Sequence, residues 1–334
     1  MYPVKPMRLK SGDTLRIVAP ASSMDLLDKA AVKRGVENLE KLGLRVEMSQ
    51  HASRRHGHAS GTSEERAEDL MSAFTDPGVD GIMAVWGGWN SNDIIDLLDY
   101  EEIHNHPKVF VGYSDITTLN IALLEKAGLV SFQGPAFVTF THPHLMGWEV
   151  EDFKGAIMST SAPREIGAAP TYIDDPHYFL HPDEPPQEVS NPGWTTHREG
   201  VAEGRLMGGH LGTLLSLAGT PYWPDFRGKI LLVEEDEEGG PAGNIARKFR
   251  QLEQTGALDD VEAMLVGRIP AVAGLKEGDS LGMILEETLE GYEFPVVSGV
   301  DFGHTNPIAT LPMGVNARLD TGRGRLVLLE SGVR

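Results

Sequence analysis

Short β-rich apolar runs alternate with amphipathic helical stretches along the first 130 residues of the chain. The helical stretches carry apolar residues every three to four positions, and Ser63 is placed to cap one of them, followed by Glu64 and Glu65. Repeated β-α units at this spacing predict a mostly parallel sheet that is covered by helices on both faces. The predicted strands are 14–20, 44–48, 81–86 and 108–112, and the predicted helices are 26–42, 63–74, 91–99 and 115–126.

Proline-rich sequence interrupts this pattern between residues 161 and 200, which we interpret as a linker or long loop, with a plain connection favoured over a specificity loop. A second α/β region follows. The sequence thus predicts an α/β protein with a nucleophile-bearing N-terminal domain (1–160), whose parallel sheet is flanked by helices, and a C-terminal α/β domain (201–334). Its predicted elements are helices 209–218, 242–255 and 279–290, strands 229–234, 262–267 and 295–298, and a closing hairpin of 315–319 and 325–329.

Composition excludes several classes of function. The 334 residues are 40% hydrophobic, enough for a substantial core, and the formal charge of −20 disfavours nucleic acid and anionic membranes as partners. The absence of cysteine removes disulfides, thiolate metal sites and cysteine nucleophiles. Neither a signal-like apolar segment near the N-terminus nor an 18-residue apolar run is found, so we expect a soluble, cytoplasmic protein.

Ser114 lies where the apolar run 108–112 breaks at Gly112 and a helical pattern begins. Hydrolases present a nucleophilic serine on such a strand-to-helix turn, beside the free N–H groups of the helix. The usual Gly-x-Ser-x-Gly spacing requires glycine at 116, where this chain has Ile116. A Ser or Asp that merely caps the helix 115–126 is an equally good explanation at this point.

Other unusual residues follow the ends of predicted strands, where open parallel sheets form their sites. A serine hydroxyl can attack at neutral pH only with the help of a base whose pKa lies near that pH. His304 is the best placed of the twelve histidines for this role. Glu234 could orient that imidazole, while Glu235 would point to the other side of the strand. The competing interpretations are an ordinary turn histidine for His304 and a solvated acidic run for 234–238.

Gly87 and Gly88 form a further strand-end feature. The pair lacks both the spacing of a dinucleotide-binding loop and the lysine of a P-loop, so a tight turn that presents an N–H is the better interpretation. Such a donor and the amide of Asp115 would together form an oxyanion hole. The histidine pairs 56/58, 104/106 and 142/144 lack the spacing of metal-binding motifs, so no metal or other cofactor is predicted.

With these residues in view, the chain resembles the L,D-carboxypeptidase family of serine peptidases, especially its microcin C self-immunity branch. The resemblance extends over nearly the full length. Seven segments carry it in one order: Val18-Ala-Pro-Ala-Ser, Gly87-Gly-Trp-Asn-Ser-Asn with Leu98-Asp-Tyr, Gly112-Tyr-Ser-Asp-Ile-Thr, Gly204-Arg-Leu-Met-Gly-Gly-His-Leu, Gly219-Thr-Pro-Tyr-Trp-Pro, Lys229-Ile-Leu-Leu-Val-Glu-Glu and Gly299-Val-Asp-Phe-Gly-His.

The resemblance implies a Ser-Glu-His triad that falls on Ser114, Glu234 and His304, with the Gly88 and Asp115 amides at the oxyanion. It also implies catalysis between two lobes of a homodimer subunit, without a cofactor. Family members cleave an amide next to a free carboxylate, either an L,D-bond of murein peptides or the bond that joins an aminoacyl or peptidyl group to a nucleotide analogue.

The resemblance further implies substrate contacts from Gly87 and from two less certain positions. Trp194 would stack on a nucleobase, although a plain loop anchor explains this tryptophan equally well. His210 stands where the family usually has asparagine. A non-catalytic two-lobed protein that binds nucleotide-like molecules is the alternative function.

Overall fold

The computed structural model describes residues 3–174 and 184–334 and divides the chain into two compact units. The first comprises the chain up to Ser161 together with Thr310–Gly314 and Ser331–Arg334, and the second comprises Ala162–Ala309 and Val315–Glu330. Two sheets flanked by helices confirm the predicted α/β class. Within the described residues, none of the helices has the length and apolar character needed to cross a membrane.

The first unit contains a six-stranded sheet in the order β14-β5-β4-β3-β1-β2. Its first five strands by sequence pair in parallel, and β14 pairs antiparallel with β5. The central strands β3 and β4 are buried throughout, as expected for a sheet covered on both faces. The strands are β1 (Thr14–Val18), β2 (Arg45–Met48), β3 (Gly81–Ala84), β4 (Val109–Gly112), β5 (Phe132–Gln133) and β14 (Leu311–Pro312).

The helices of this unit follow the predicted order with two corrections. Thr62, not Ser63, caps α2 and forms a capping box with Glu65. The predicted helix 91–99 is wrong: this stretch holds two 3-10 turns, Ser91–Asp93 and Ile95–Leu97. The helices are α1 (Lys29–Glu40), α2 (Ser63–Thr75), α3 (Tyr100–Asn105), α4 (Thr117–Ala127), α5 (Phe137–Phe140) and α6 (Gly147–Ile157).

The second unit contains an eight-stranded sheet in the order β6-β16-β15-β10-β11-β12-β13-β9, of which β10 to β13 are parallel. The predicted closing hairpin is confirmed by the antiparallel pairing of β15 with β16. A separate pair is formed by β7 and β8. The strands are β6 (Arg164–Gly167), β7 (Thr171–Tyr172), β8 (Val189–Ser190), β9 (Thr195–Arg198), β10 (Val201–His210), β11 (Lys229–Glu234), β12 (Ala263–Gly267), β13 (Val296–Val300), β15 (Asn316–Asp320) and β16 (Arg325–Leu328).

The start of the predicted helix 209–218 is wrong, because Gly209 and His210 complete the long strand β10. Gly208 has φ of +131°, and any side chain there would collide with the carbonyl of Leu232 on β11. The close approach of two backbones therefore requires glycine. The helices of this unit are α7 (Leu211–Ser216), α8 (Ala242–Gln254) and α9 (Leu281–Thr288).

Candidate active site

Ser114 lies on a sharp turn between β4 and the helices that follow. Its φ of 64° is the one positive φ of a non-glycine residue in the described chain. A side chain in this region costs on the order of 1 kcal/mol, and such strain persists mainly where function requires it. Among the described residues, no side chain caps the 3-10 turn Ser114–Ile116 or α4, so the simple capping role is wrong.

Gly87 and Gly88 pass close to this turn. A Cβ on Gly87 would lie 2.8 Å from the Ser114 hydroxyl oxygen and 3.1 Å from the Asp115 backbone nitrogen. A Cβ on Gly88, whose φ is +155°, would lie 2.7 Å from the hydroxyl oxygen of Ser22. Glycine at 87 therefore lets the backbone approach the Ser114 turn, and glycine at 88 lets it approach Ser22.

The orientation of the Gly87–Gly88 peptide is set by Ser22, which lies four residues beyond β1. The Ser22 N–H donates to the Gly87 carbonyl oxygen at 3.1 Å. Because C=O and N–H point in opposite directions in a trans peptide, the Gly88 N–H points away from Ser22. That N–H makes no hydrogen bond within the described part of the chain, so it can serve as a donor to a bound molecule.

The Asp115 carboxylate joins the serine turn to the segment after the two glycines. One of its oxygens accepts from the backbone N–H groups of Asn90 at 3.0 Å and Ser91 at 2.8 Å. The Ser91 hydroxyl returns a hydrogen bond of 2.6 Å to the Asp115 carbonyl. The side chain of Asp115 is thus committed to holding these two turns together, and the predicted oxyanion role concerns its backbone amide alone.

Glu234 and His304 meet in the second unit. Glu234 ends the buried strand β11 and is 1% exposed, and its Oε2 lies 2.6 Å from Nδ1 of His304. Gly303, with φ of +105°, makes room for this contact, because a Cβ there would lie 2.6 Å from the same oxygen. The predicted pairing of these two side chains is therefore present, and Glu234 is not part of a solvated acidic run.

The proton balance of His304 follows from its surroundings. Burial disfavours the imidazolium, but the negative charge and hydrogen bond of Glu234 outweigh burial and raise the pKa of His304 above its ordinary value. When Nδ1–H donates to the carboxylate, Nε2 carries the lone pair. The pair can therefore accept a proton at Nε2 and stabilise the imidazolium that forms.

Glu235 has partners different from that of Glu234, consistent with the expected alternation of side chains. One of its oxygens accepts from the Lys248 ammonium on α8 at 2.6 Å. Burial raises the pKa of the Glu235 carboxyl, against the pull of His210 and Lys248. Glu235 therefore belongs to an ion-pair network with Lys248 and His210, while the hydrogen bond to His304 comes from Glu234.

His210 contacts both this ion-pair network and the ring of His304. Its Nε2 lies 3.6 Å from carboxylate oxygens of both Glu235 and Asp236, and its ring centroid lies 5.5 Å from that of His304, edge to face. Burial opposes its charged form, but the negative charges of Asp236, Glu234 and Glu235 around it raise the pKa of His210 to about 9. His210 therefore brings a charge next to His304.

The same residues are the natural place to look for a metal. Atoms of His210, Glu235 and Asp236 that could ligate a cation lie within 4.8 Å of one another. The Lys248 ammonium already neutralises Glu235 there. We therefore interpret the cluster as a network of ion pairs.

Trp194, a predicted substrate contact, lies half-buried directly before β9. Its indole nitrogen is buried without a hydrogen-bond partner in the described residues.

Arg66 was not among the residues predicted from the sequence, although it stands on the apolar face of α2 with Leu70 and Ala73. A charged residue on a buried helix face is a signal that could have identified it.

Family models match both parts of the chain. The LD-carboxypeptidase N-terminal domain matches residues 15–134, and the LD-carboxypeptidase C-terminal domain matches residues 203–319. Among curated proteins, the putative carboxypeptidase YocD of Bacillus subtilis (strain 168) is 38% identical over 95% of this chain and 96% of its own. A probable murein peptide carboxypeptidase of the same organism is 33% identical over 98% of this chain and 95% of its own.

Solved structures agree with these matches. An MccF-like protein from Bacillus anthracis str. Ames superimposes with a TM-score of 0.92 at 32% identity, covering 97% of this chain and 99% of its own. MccF in complex with glutamyl sulfamoyl guanosine gives a TM-score of 0.92 at 28% identity, covering 99% of this chain and 100% of its own. Matches over nearly the whole length of both chains show that this chain belongs to the LD-carboxypeptidase family.

Proposed function

We propose that this protein is a serine carboxypeptidase in which Ser114 is the nucleophile, His304 the general base and Glu234 the residue that orients His304. The observation that carries the proposal is the strained backbone of Ser114 at a strand-to-helix turn. The hydrogen bond of 2.6 Å between Glu234 and His304 supports it from the second unit. The mechanism requires the Ser114 hydroxyl to come within hydrogen-bonding reach of Nε2 of His304.

Each step then has a residue to perform it. Nε2 of His304 takes the Ser114 proton while the hydroxyl oxygen attacks the amide carbonyl, and Glu234 stabilises the imidazolium. The amides of Gly88 and Asp115 hold the oxyanion. The imidazolium gives its proton to the departing amine, which leaves an acyl-enzyme. Water, deprotonated by His304, then hydrolyses the ester and restores Ser114.

The proposed substrate is an amide next to a free carboxylate, as in murein peptides or aminoacyl-nucleotide analogues. One relative is named a probable murein peptide carboxypeptidase, and MccF is described in complexes with glutamyl sulfamoyl guanosine and aspartyl sulfamoyl adenosine. In this proposal Gly87, Trp194 and His210 contact the substrate. The cytoplasmic location and the homodimer stay predictions.

Mass spectrometry of cleavage products tests the proposal. A murein tetrapeptide and aspartyl sulfamoyl adenosine are offered side by side to the wild type and to Ser114→Ala. We expect the wild type to release a product with a new carboxylate from at least one of them, and Ser114→Ala to lose at least about 1000-fold of that turnover. Full turnover by Ser114→Ala, or labelling of a different serine by a fluorophosphonate, contradicts the proposal.

A further inference from the structure

Arg66 is a buried arginine in the first turn of α2, with 2% of its surface exposed. Its Nη1 donates to two backbone carbonyls, Pro20 at 2.7 Å and Asn90 at 2.8 Å. Its Nη2 donates to the Ser63 hydroxyl at 3.3 Å and to a carboxylate oxygen of Asp93 at 3.1 Å. One side chain thus cross-links the segments that follow β1 and β3.

Both carbonyls lie close to the amide that we assign to the oxyanion. Pro20 lies two residues before Ser22, whose N–H fixes the orientation of the glycine peptide, and Asn90 lies two residues after Gly88. A single nitrogen of Arg66 holds the two segments at a fixed separation. Any change in that separation would turn or shift the Gly88 N–H.

The cost of burying Arg66 indicates that it serves this geometry. A guanidinium near the N-terminus of a helix faces the positive end of the helix dipole, and its desolvation is expensive. Asp93 offsets the charge only in part, because 49% of that side chain is exposed to solvent. An apolar residue on this helix face would avoid the desolvation of a guanidinium but would leave both carbonyls without this donor.

We propose that Arg66 is a positioning residue for the oxyanion hole, which it serves by clamping the carbonyls of Pro20 and Asn90. The inference rests on the proposed function, since it assigns a task to a residue behind the Gly88 amide. It implies that loss of Arg66 weakens transition-state binding and leaves ground-state binding of the substrate nearly unchanged.

The first test compares Arg66→Met and Arg66→Lys with Arg16→Met on the substrate that the wild type cleaves. We expect Arg66→Met to lower kcat about 100-fold with KM changed less than about threefold, the signature of a lost oxyanion contact. The kcat of Arg66→Lys should lie between that of Arg66→Met and that of the wild type, because an ammonium group lacks the planar guanidinium geometry that reaches both carbonyls. Arg16 is the matched control: a largely buried, ion-paired arginine of the same unit whose partners are Glu47 and Asp76.

A second measurement separates positioning from general damage. A substrate analogue with an aldehyde at the scissile carbon forms a hemiacetal when the Ser114 oxygen bonds to that carbon, and the serine proton ends on the hemiacetal oxygen. Its affinity should fall with Arg66→Met by the same factor as kcat. The affinity for uncleaved substrate, measured in the Ser114→Ala background, should change less than about twofold.

The outcomes distinguish failure of the role assigned to Arg66 from failure of the proposed function. Values of kcat for Arg66→Met within about threefold of the wild type, or an equal loss of substrate affinity in the Ser114→Ala background, overturn the role of Arg66 and leave the triad intact. If Arg66→Met does not fold, the same two measurements on Arg66→Lys decide the question. Full turnover by Ser114→Ala overturns the proposed function and the role of Arg66 with it.

Discussion

Glu234 holds His304 through a hydrogen bond of 2.6 Å between a fully buried carboxylate and Nδ1 of the imidazole. The contact depends on glycine at two places: a Cβ on Gly303 would meet the carboxylate, and a Cβ on Gly267 would lie 2.7 Å from Cβ of Glu234. A buried carboxylate is costly unless it is paired. The local backbone is therefore shaped around this pair, which fixes the tautomer in which Nε2 carries the lone pair.

Replacement of Glu234 by glutamine tests the electrostatic part of this relationship. Since Glu234 raises the pKa of His304 above its ordinary value of 6.5, the acid limb of kcat/KM should lie above pH 6.5 in the wild type. Glu234→Gln should move that limb to lower pH and lower kcat by at least about 100-fold, because the imidazolium loses its counter-charge. A pH-rate profile of both proteins checks the sign. A limb that stays in place would show that another group titrates.

Replacement of His210 by asparagine should move the acid limb of kcat/KM in the opposite direction, to higher pH. The positive charge of His210 lies beside His304 and lowers the pKa of His304. His210→Asn removes that charge and also leaves Glu235 and Asp236 with one cation fewer, so both effects favour protonated His304. Because the ring centroids lie only 5.5 Å apart, loss of this charge is expected to move the limb to higher pH.

The control for His210→Asn is Lys248→Met, which removes a cation from Glu235 but leaves the edge-to-face contact of the two rings. Lys248→Met should move the acid limb to higher pH by less than His210→Asn does. An acid limb of His210→Asn at or below that of the wild type contradicts the expected electrostatic role.

The sequence predicted most of the α/β elements from local patterns and offered Glu234 as a partner for His304, a pairing that the family resemblance also implied. Apolar runs mark strands, and in parallel sheets the functional residues follow strand ends. Strand alternation favoured Glu234 over Glu235, and the family resemblance selected Glu234. The positive φ of Ser114 is likewise the outcome of a strand that ends two residues before a helical turn.

The features that were not predicted depend on partners distant in sequence. The stretch 91–99 forms 3-10 turns where we predicted a helix, and Asp115, 24 residues later, binds the amide of Ser91 at its start. Arg66 acts through carbonyls 46 and 24 residues away. The apolar face of α2 could have singled out Arg66, but neither the carbonyls that it binds nor the amide that Asp115 binds leaves a periodic pattern in the sequence.

Gly88→Ala should lower kcat far more than any accompanying loss of folding stability could explain. The new Cβ would lie 2.7 Å from the Ser22 hydroxyl oxygen at a φ of +155°, so the peptide must rotate and carry its N–H away from the oxyanion. We expect kcat to fall by about 100-fold or more. Gly12→Ala is the matched control, with φ of +92° and no atom within 4 Å of its Cβ. It should lower the melting temperature without changing kcat, and equal kcat losses in both variants would contradict this account.

Ser114→Gly and Ser114→Ala should separate strain from chemistry, because both remove the nucleophile but only glycine accepts a φ of 64° without steric cost. We expect both variants to be inactive and Ser114→Gly to be more stable than Ser114→Ala by about 0.5–1 kcal/mol in denaturant unfolding. A glycine variant less stable than the alanine variant would mean that the turn is not strained when folded. The result expected here implies that the protein retains a destabilising backbone conformation at the residue that we propose as the nucleophile.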